Sequence, residues 1–189
     1  MDGGARRSSG PGRPVPDACR QGSIWKTTAA LACARAGWDY AGDDYVLADS
    51  LDGHVLPLYS SARLRDDMSG HFPDLLSRAV RAVSSDFGET KHELDLGRAA
   101  IADRIRGGRL AAILLPRRRG ADHVTFTPAL RVDAFNALFT STSASAPGPM
   151  KAYAEKLAAL AGRAPVWFVD TGPEPAAIPE AFERFLDHA

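Results

Sequence analysis

The chain has 189 residues, 45% hydrophobic and 24% charged, with 17 Gly and 13 Pro, the proportions of a globular domain long enough to bury one core. Its 23 Lys+Arg balance 23 Asp+Glu, so no whole-molecule field gathers nucleic acid or an anionic membrane, and partners must be recognised locally. Cys19 and Cys33 make neither a disulfide framework nor a CxxC metal site, and no apolar run approaches the roughly 18 residues of a membrane span. The expectation is a protein of the reducing cytoplasm.

Residues 1–21 hold four Gly, four Arg, three Pro and two Ser with almost nothing apolar. That composition cannot offset the entropy of ordering and predicts a disordered tail, with an α/β domain over 22–189. From Thr27, TTAALACARAG is a strong helix former that stops at Gly37 and sets Lys26 at a helix start. Residues 38–48 and 54–59 flank an Asp52-Gly53 turn and predict strand, turn, strand. Residues 72–83 carry Leu75, Leu76, Ala79, Val80 and Val83 at helical spacing behind Pro73 and predict a helix. Residues 92–96 alternate as a strand. The continuous apolar run LAAILLP (110–116) predicts a buried core strand, and 124–127, reached through a polar turn, predicts its hairpin partner. Helices are predicted over 128–139 and 150–162 around the loop STSASAPGP, then a strand over 165–170 and a closing amphipathic helix over 179–188. Alternating strands and helices argue an α/β domain with helices covering a mixed sheet.

The chemistry concentrates in Gly22-Ser23-Ile24-Trp25-Lys26-Thr27-Thr28. A phosphate-binding loop needs backbone N–H groups wrapped round the phosphates, a lysine on the outer ones and a hydroxyl on Mg²⁺ at a helix N-terminus. Lys26 supplies the cation and Thr27, followed by Thr28, the hydroxyl; Gly22 and Ser23 are the loop positions left to the phosphates. The pattern G-x-x-x-x-G-K-[ST] requires glycine where this chain has Arg20 and Trp25. Asp43 follows Lys26 by 17 residues, with Asp44 beside it. Carboxylates returning there can hold Mg²⁺ and accept a proton from an attacking hydroxyl, and on a strand only one of two neighbours faces the phosphates. Glu89, Lys91, His92 and Glu93 read as a solvated strand edge, and Arg117, Arg118 and Arg119 as a wet basic turn. Arg63 and Arg65 read either as anion contacts or as surface arginines. Trp38, Trp167 and the phenylalanines read as core.

These residues resemble the HPr serine kinase/phosphorylase family and its shorter HPr-kinase-like relatives. The likeness rests on the Lys-Thr-Thr loop end, ARAGWDY, the Gly-Asp-Asp-Tyr-Val-Leu strand, HVLPLY and ARLR, and continues through LAAILLP, DAFNALF and PVWFVDTG, so that it covers Ser23 to the end. It implies the P-loop kinase core shared with phosphoenolpyruvate carboxykinases, with ATP and Mg²⁺ as cofactors and γ-phosphoryl transfer to a hydroxyl of an HPr-like protein. Lys26 would take the β- and γ-phosphates, Thr27 the metal and Asp43 the base role. Asp44 would support catalysis and the metal, and self-association follows from the same likeness. The strand that leads into the loop in that family is replaced here by the Gly/Pro/Arg tail, which implies an altered N-terminus and a sheet with a gap or exposed edge. The degenerate loop keeps a second class open, a non-catalytic interaction domain on the same scaffold.

Overall fold

Helix α1 (Asp17–Arg35) is the pivot of the chain. The computed structural model describes residues 17–43, 45–84, 89–97, 105–117, 119–143 and 148–188, with backbone only over 17–24. Four consecutive positions of α1, Leu31 to Ala34, are buried, as are Trp25, Thr28 and Ala29. A helical stretch buried on nearly every side must be enclosed on several sides, and α1 packs against strands β3 (Ser61–Arg65) and β7 (Ile113–Arg117) and helix α5 (Ile178–Leu186). Its alanines let those neighbours approach closely, while Leu31, fully enclosed, contributes about 1.5–3 kcal/mol of burial. The helix ends as its sequence predicts: Gly37 takes φ 107°, and the amide of Trp38 donates to the Cys33 carbonyl, a glycine-terminated cap.

Among the described residues there are three three-stranded sheets. The first joins β1 (Val46–Ala48), β2 (His54–Pro57) and β6 (Gly108–Arg109), all antiparallel. The predicted strand, turn, strand is present, although the first strand is shorter than expected. Gly107 lies so close to β2 that a Cβ there would sit 2.3 Å from the Val55 carbonyl oxygen. The second sheet has the order β3 (Ser61–Arg65), β5 (Thr90–Asp95), β4 (Ala79–Ser84). Between β3 and β4 lie a 3₁₀ turn (Asp66–His71) and the single turn α2 (Pro73–Leu76).

The helix expected over 72–83 is therefore corrected to one helical turn and a strand. Ser77 Oγ bonds back to the Asp74 carbonyl at 2.8 Å, closing the turn, and the β-branched Val83 pairs with Lys91 in a ladder with β5, while Val80 sits at the irregularity between Ala79 and Arg81. The predicted strand edge around His92 is corrected as well. Strand β5 is the middle strand, and two of its polar side chains are paired: Glu93 Oε2 with Arg81 Nε at 2.7 Å and His92 Nε2 with Asp66 Oδ1 at 2.8 Å.

The third sheet, β7 (Ile113–Arg117), β9 (Val166–Asp170), β8 (Thr125–Pro128), is mixed: β7 and β9 are parallel, β8 and β9 antiparallel. The expected β7–β8 hairpin is corrected, because β9 lies between the two. Ile113 and Leu115 pack with Ala134 and Ala161, from α3 (Arg131–Thr142) and α4 (Met150–Ala161). On the opposite face, α5 (Ile178–Leu186) stacks Phe185 on Phe126, centroids 4.2 Å apart, and sets it edge-on to Trp167. This layer is the part of the chain that fits the expectation of a mixed sheet flanked by helices. Strand β7 departs from the reading of a core strand. All five of its residues are only half-buried, because it has a strand partner on one side alone among the described residues.

Candidate functional site

The phosphate loop expected over Gly22 to Trp25 is corrected to continuous helix, since α1 begins at Asp17 and takes in residues the composition assigns to the tail. Trp25 is the physical reason visible in the packing: its indole is 4% exposed within the main core, and burial on that scale holds the segment helical. Inside a helix each backbone N–H is bonded to the carbonyl four residues earlier, so Gly22 and Ser23 have no amide nest to offer a phosphate. Thr28, 1% exposed, is enclosed in the core and does not face a ligand. Asp44 lies outside the described residues.

Lys26 and Thr27 diverge by about 100° around the helix axis, and they serve different surroundings. Lys26 is exposed and lines a groove of about 590 Å³ with Ala29, Cys33 and Leu114. Thr27 turns toward Asp43, and its Oγ1 donates to Asp43 Oδ1 at 2.7 Å. The second carboxylate oxygen, Oδ2, accepts the backbone amide of Arg63 at 3.3 Å. A hydroxyl from the helix and an amide from β3 therefore hold one carboxylate.

The chain reaches that point through buried Tyr40, whose backbone bridges Ile105, and through Gly42, where a Cβ would come within 2.7 Å of the Tyr45 carbonyl oxygen. Asp43 then opens on a second cavity of about 330 Å³, shared with Tyr45, Tyr59, Ser61, Arg63 and Glu93. The two tyrosines meet edge-on at 6.5 Å. The Arg63 side chain is exposed at this cavity, with no ion-pair partner among the described residues. Arg65, the other anion contact considered, is committed elsewhere. It donates to Asp67 at 3.0 Å and Glu89 at 2.9 Å, and these carboxylates, Asp67 first, raise its pKa further.

Thr27 Oγ1 and the Asp43 carboxylate are hard oxygen donors of the kind Mg²⁺ takes together with waters and phosphate oxygens. They suit the metal end of a Mg-nucleotide site, whereas the helix does not suit its phosphate end. Among the described residues no three His, Cys, Asp or Glu side chains cluster as a protein-only metal cage.

A buried polar cluster at the end of β9 escaped the sequence reading. Asp170, 5% exposed, accepts the Arg119 amide with both oxygens at 3.0 and 3.1 Å. Beside it the hydroxyl of Thr171 is buried without a hydrogen-bond partner among the described residues. The available signal was the strand ending in Asp-Thr-Gly. The basic turn it holds is thus anchored at Arg119, and Arg117 lies over the Phe168 ring at 4.5 Å. No described helix is long and apolar enough to cross a membrane. Comparison with family models, with characterised proteins and with solved structures finds no match for this chain.

Proposed function

We propose that the chain is an HPr-kinase-like serine kinase domain whose reaction class is γ-phosphoryl transfer from Mg-ATP to a protein hydroxyl. The observation that carries this reading is the 2.7 Å bond between Thr27 and Asp43. It joins the helix hydroxyl and the returning carboxylate that a magnesium-dependent phosphoryl-transfer site needs side by side. In this reading Thr27 and Asp43 hold Mg²⁺, with Asp44 in support, and Lys26 neutralises the outer phosphates. ATP supplies the transferred group, and the active form requires α1 to open into a loop ahead of Lys26.

The unbroken helix favours a second reading, a non-catalytic interaction domain that keeps the scaffold without the nucleotide. The two readings separate in one experiment. Thermal unfolding is measured with and without millimolar Mg-ATP, for the wild-type chain and for Asp43→Asn. Ligand at 100 times its dissociation constant adds about 2.7 kcal/mol of stability. A Mg²⁺-dependent upward shift that Asp43→Asn removes supports the kinase, whereas a flat response in the wild-type chain refutes it and leaves the non-catalytic domain.

A further inference from the structure

Strand β7 reads in sequence as an interior strand and, among the described residues, is an edge. The amide of Ile113 donates to the Pro165 carbonyl on the β9 side at 2.9 Å. In a parallel ladder, alternate residues turn both backbone groups to the same neighbour. Ile113, Leu115 and Arg117 therefore serve β9, while Ala112 and Leu114 direct N–H and C=O away from it. Pro116 holds the third outward position, where its missing N–H costs the internal ladder nothing.

The side chains of these outward residues line the groove of about 590 Å³, with α1 and α5 as one wall and Val55 and Gly107 as the other. The floor is apolar. Three cations, Lys26, Arg106 and Arg109, stand at the groove. Among the described residues, Arg106 pairs only with Asp39, which also lines the groove, and Arg109 only with Asp52, each at 4.0 Å, and Lys26 has no ion-pair partner.

We propose that this groove binds an extended, β-branched segment of a partner protein, carrying acidic residues at its flanks, by strand addition to the free edge of β7. Three features together specify the occupant. The unpaired backbone demands an extended chain, the half-buried apolar run demands apolar side chains, and the cations select carboxylates beside them. Two copies of this chain pairing through the same edge would bring their cations together, which disfavours self-pairing. The groove is separate from the Asp43 cavity and shares only Lys26 with the proposed nucleotide site; the inference does not rest on the kinase reading.

The test uses a short fluorescent peptide with a Val/Ile/Thr centre and glutamates at both ends, titrated into the wild-type chain by anisotropy. Saturable binding is expected, with hydrogen exchange at the Leu114 amide slowed in the complex. Peptide N-methylated at alternate residues keeps its side chains but loses the pairing donors of one edge. Since one or two hydrogen bonds are worth about 1–2 kcal/mol, the methylation phase that removes the pairing donors should weaken binding roughly tenfold. Leu114→Asp should weaken it similarly, and Arg109→Glu should raise the Kd and reduce its salt dependence. Absence of binding at millimolar peptide overturns the proposal. Equal binding of the peptide methylated in either phase also overturns it, since the groove would then take apolar groups without strand pairing. Sedimentation showing a dimer that Leu114→Asp dissolves overturns it in favour of a second copy as occupant.

Discussion

The hydrogen bond from Thr27 to Asp43 can be weighed by replacing each partner alone and both together. Thr27→Val removes the hydroxyl and keeps the shape. Asp43→Asn removes the charge while leaving oxygen at one position. The bond is short, 2.7 Å, partly buried, and ends on a carboxylate. Bonds to charged groups are worth about 1.5–3 kcal/mol. The carboxylate keeps the Arg63 amide at 3.3 Å when the hydroxyl is gone, so the low end applies and Thr27→Val should cost about 1.5 kcal/mol. With a urea slope of about 2 kcal/mol/M, the unfolding midpoint falls by roughly 0.7 M. The double variant should lose less than the sum of the single losses, with a coupling of about 1 kcal/mol. A coupling within the roughly 0.3 kcal/mol found for independent sites would show that the two side chains are merely adjacent, and the metal-site argument would lose its structural support.

Two further outcomes follow from packing. Burial, followed by the nearby Glu183 carboxylate, pushes the Cys33 thiol up to about 12 from 9.0. In a Cys19→Ser background the native chain should resist disulfide reagents at neutral pH and react on unfolding. Because the unfolded thiol ionises near 9.0 and the folded one near 12, stability falls across that window as pH rises; urea midpoints on either side of pH 9.0 should show a shallower fall in Cys33→Ala. Gly107→Ala would put a Cβ 2.3 Å from the Val55 carbonyl, so the β2–β6 ladder must shift at about 1–3 kcal/mol. An unchanged denaturation midpoint in that variant would contradict the close approach.

Strongly periodic segments were legible in the sequence. Helix α4, strand β9 and helix α5 lie within a residue or two of their predicted bounds, since tertiary packing agrees with local pattern there. Residues 79–84 were not legible. Val80 and Val83 fit a helical stripe equally well, and only the neighbouring β5 decides for strand. The order of β7, β9 and β8 was hidden for a similar reason, because a polar turn between two strands does not exclude a third inserted from far along the chain. At the site, the spacing from Lys26 to Asp43 led to a real contact, but through Thr27 rather than the lysine. The helix through Gly22 was not legible, because Trp25 reads locally as an obstruction to a loop and only the core it enters makes it an anchor.

That anchor gives α1 the character of a competitor. In the kinase reading, one triphosphate would engage both Lys26 and Thr27 only in a state where the turns ahead of them have come apart, and its affinity would be reduced by the scarcity of that state. Glycine at position 22 keeps the unwinding cheap, at about 1 kcal/mol less than alanine would. On that reading, any change that firms the start of α1 would act as an antagonist of nucleotide while touching none of its atoms.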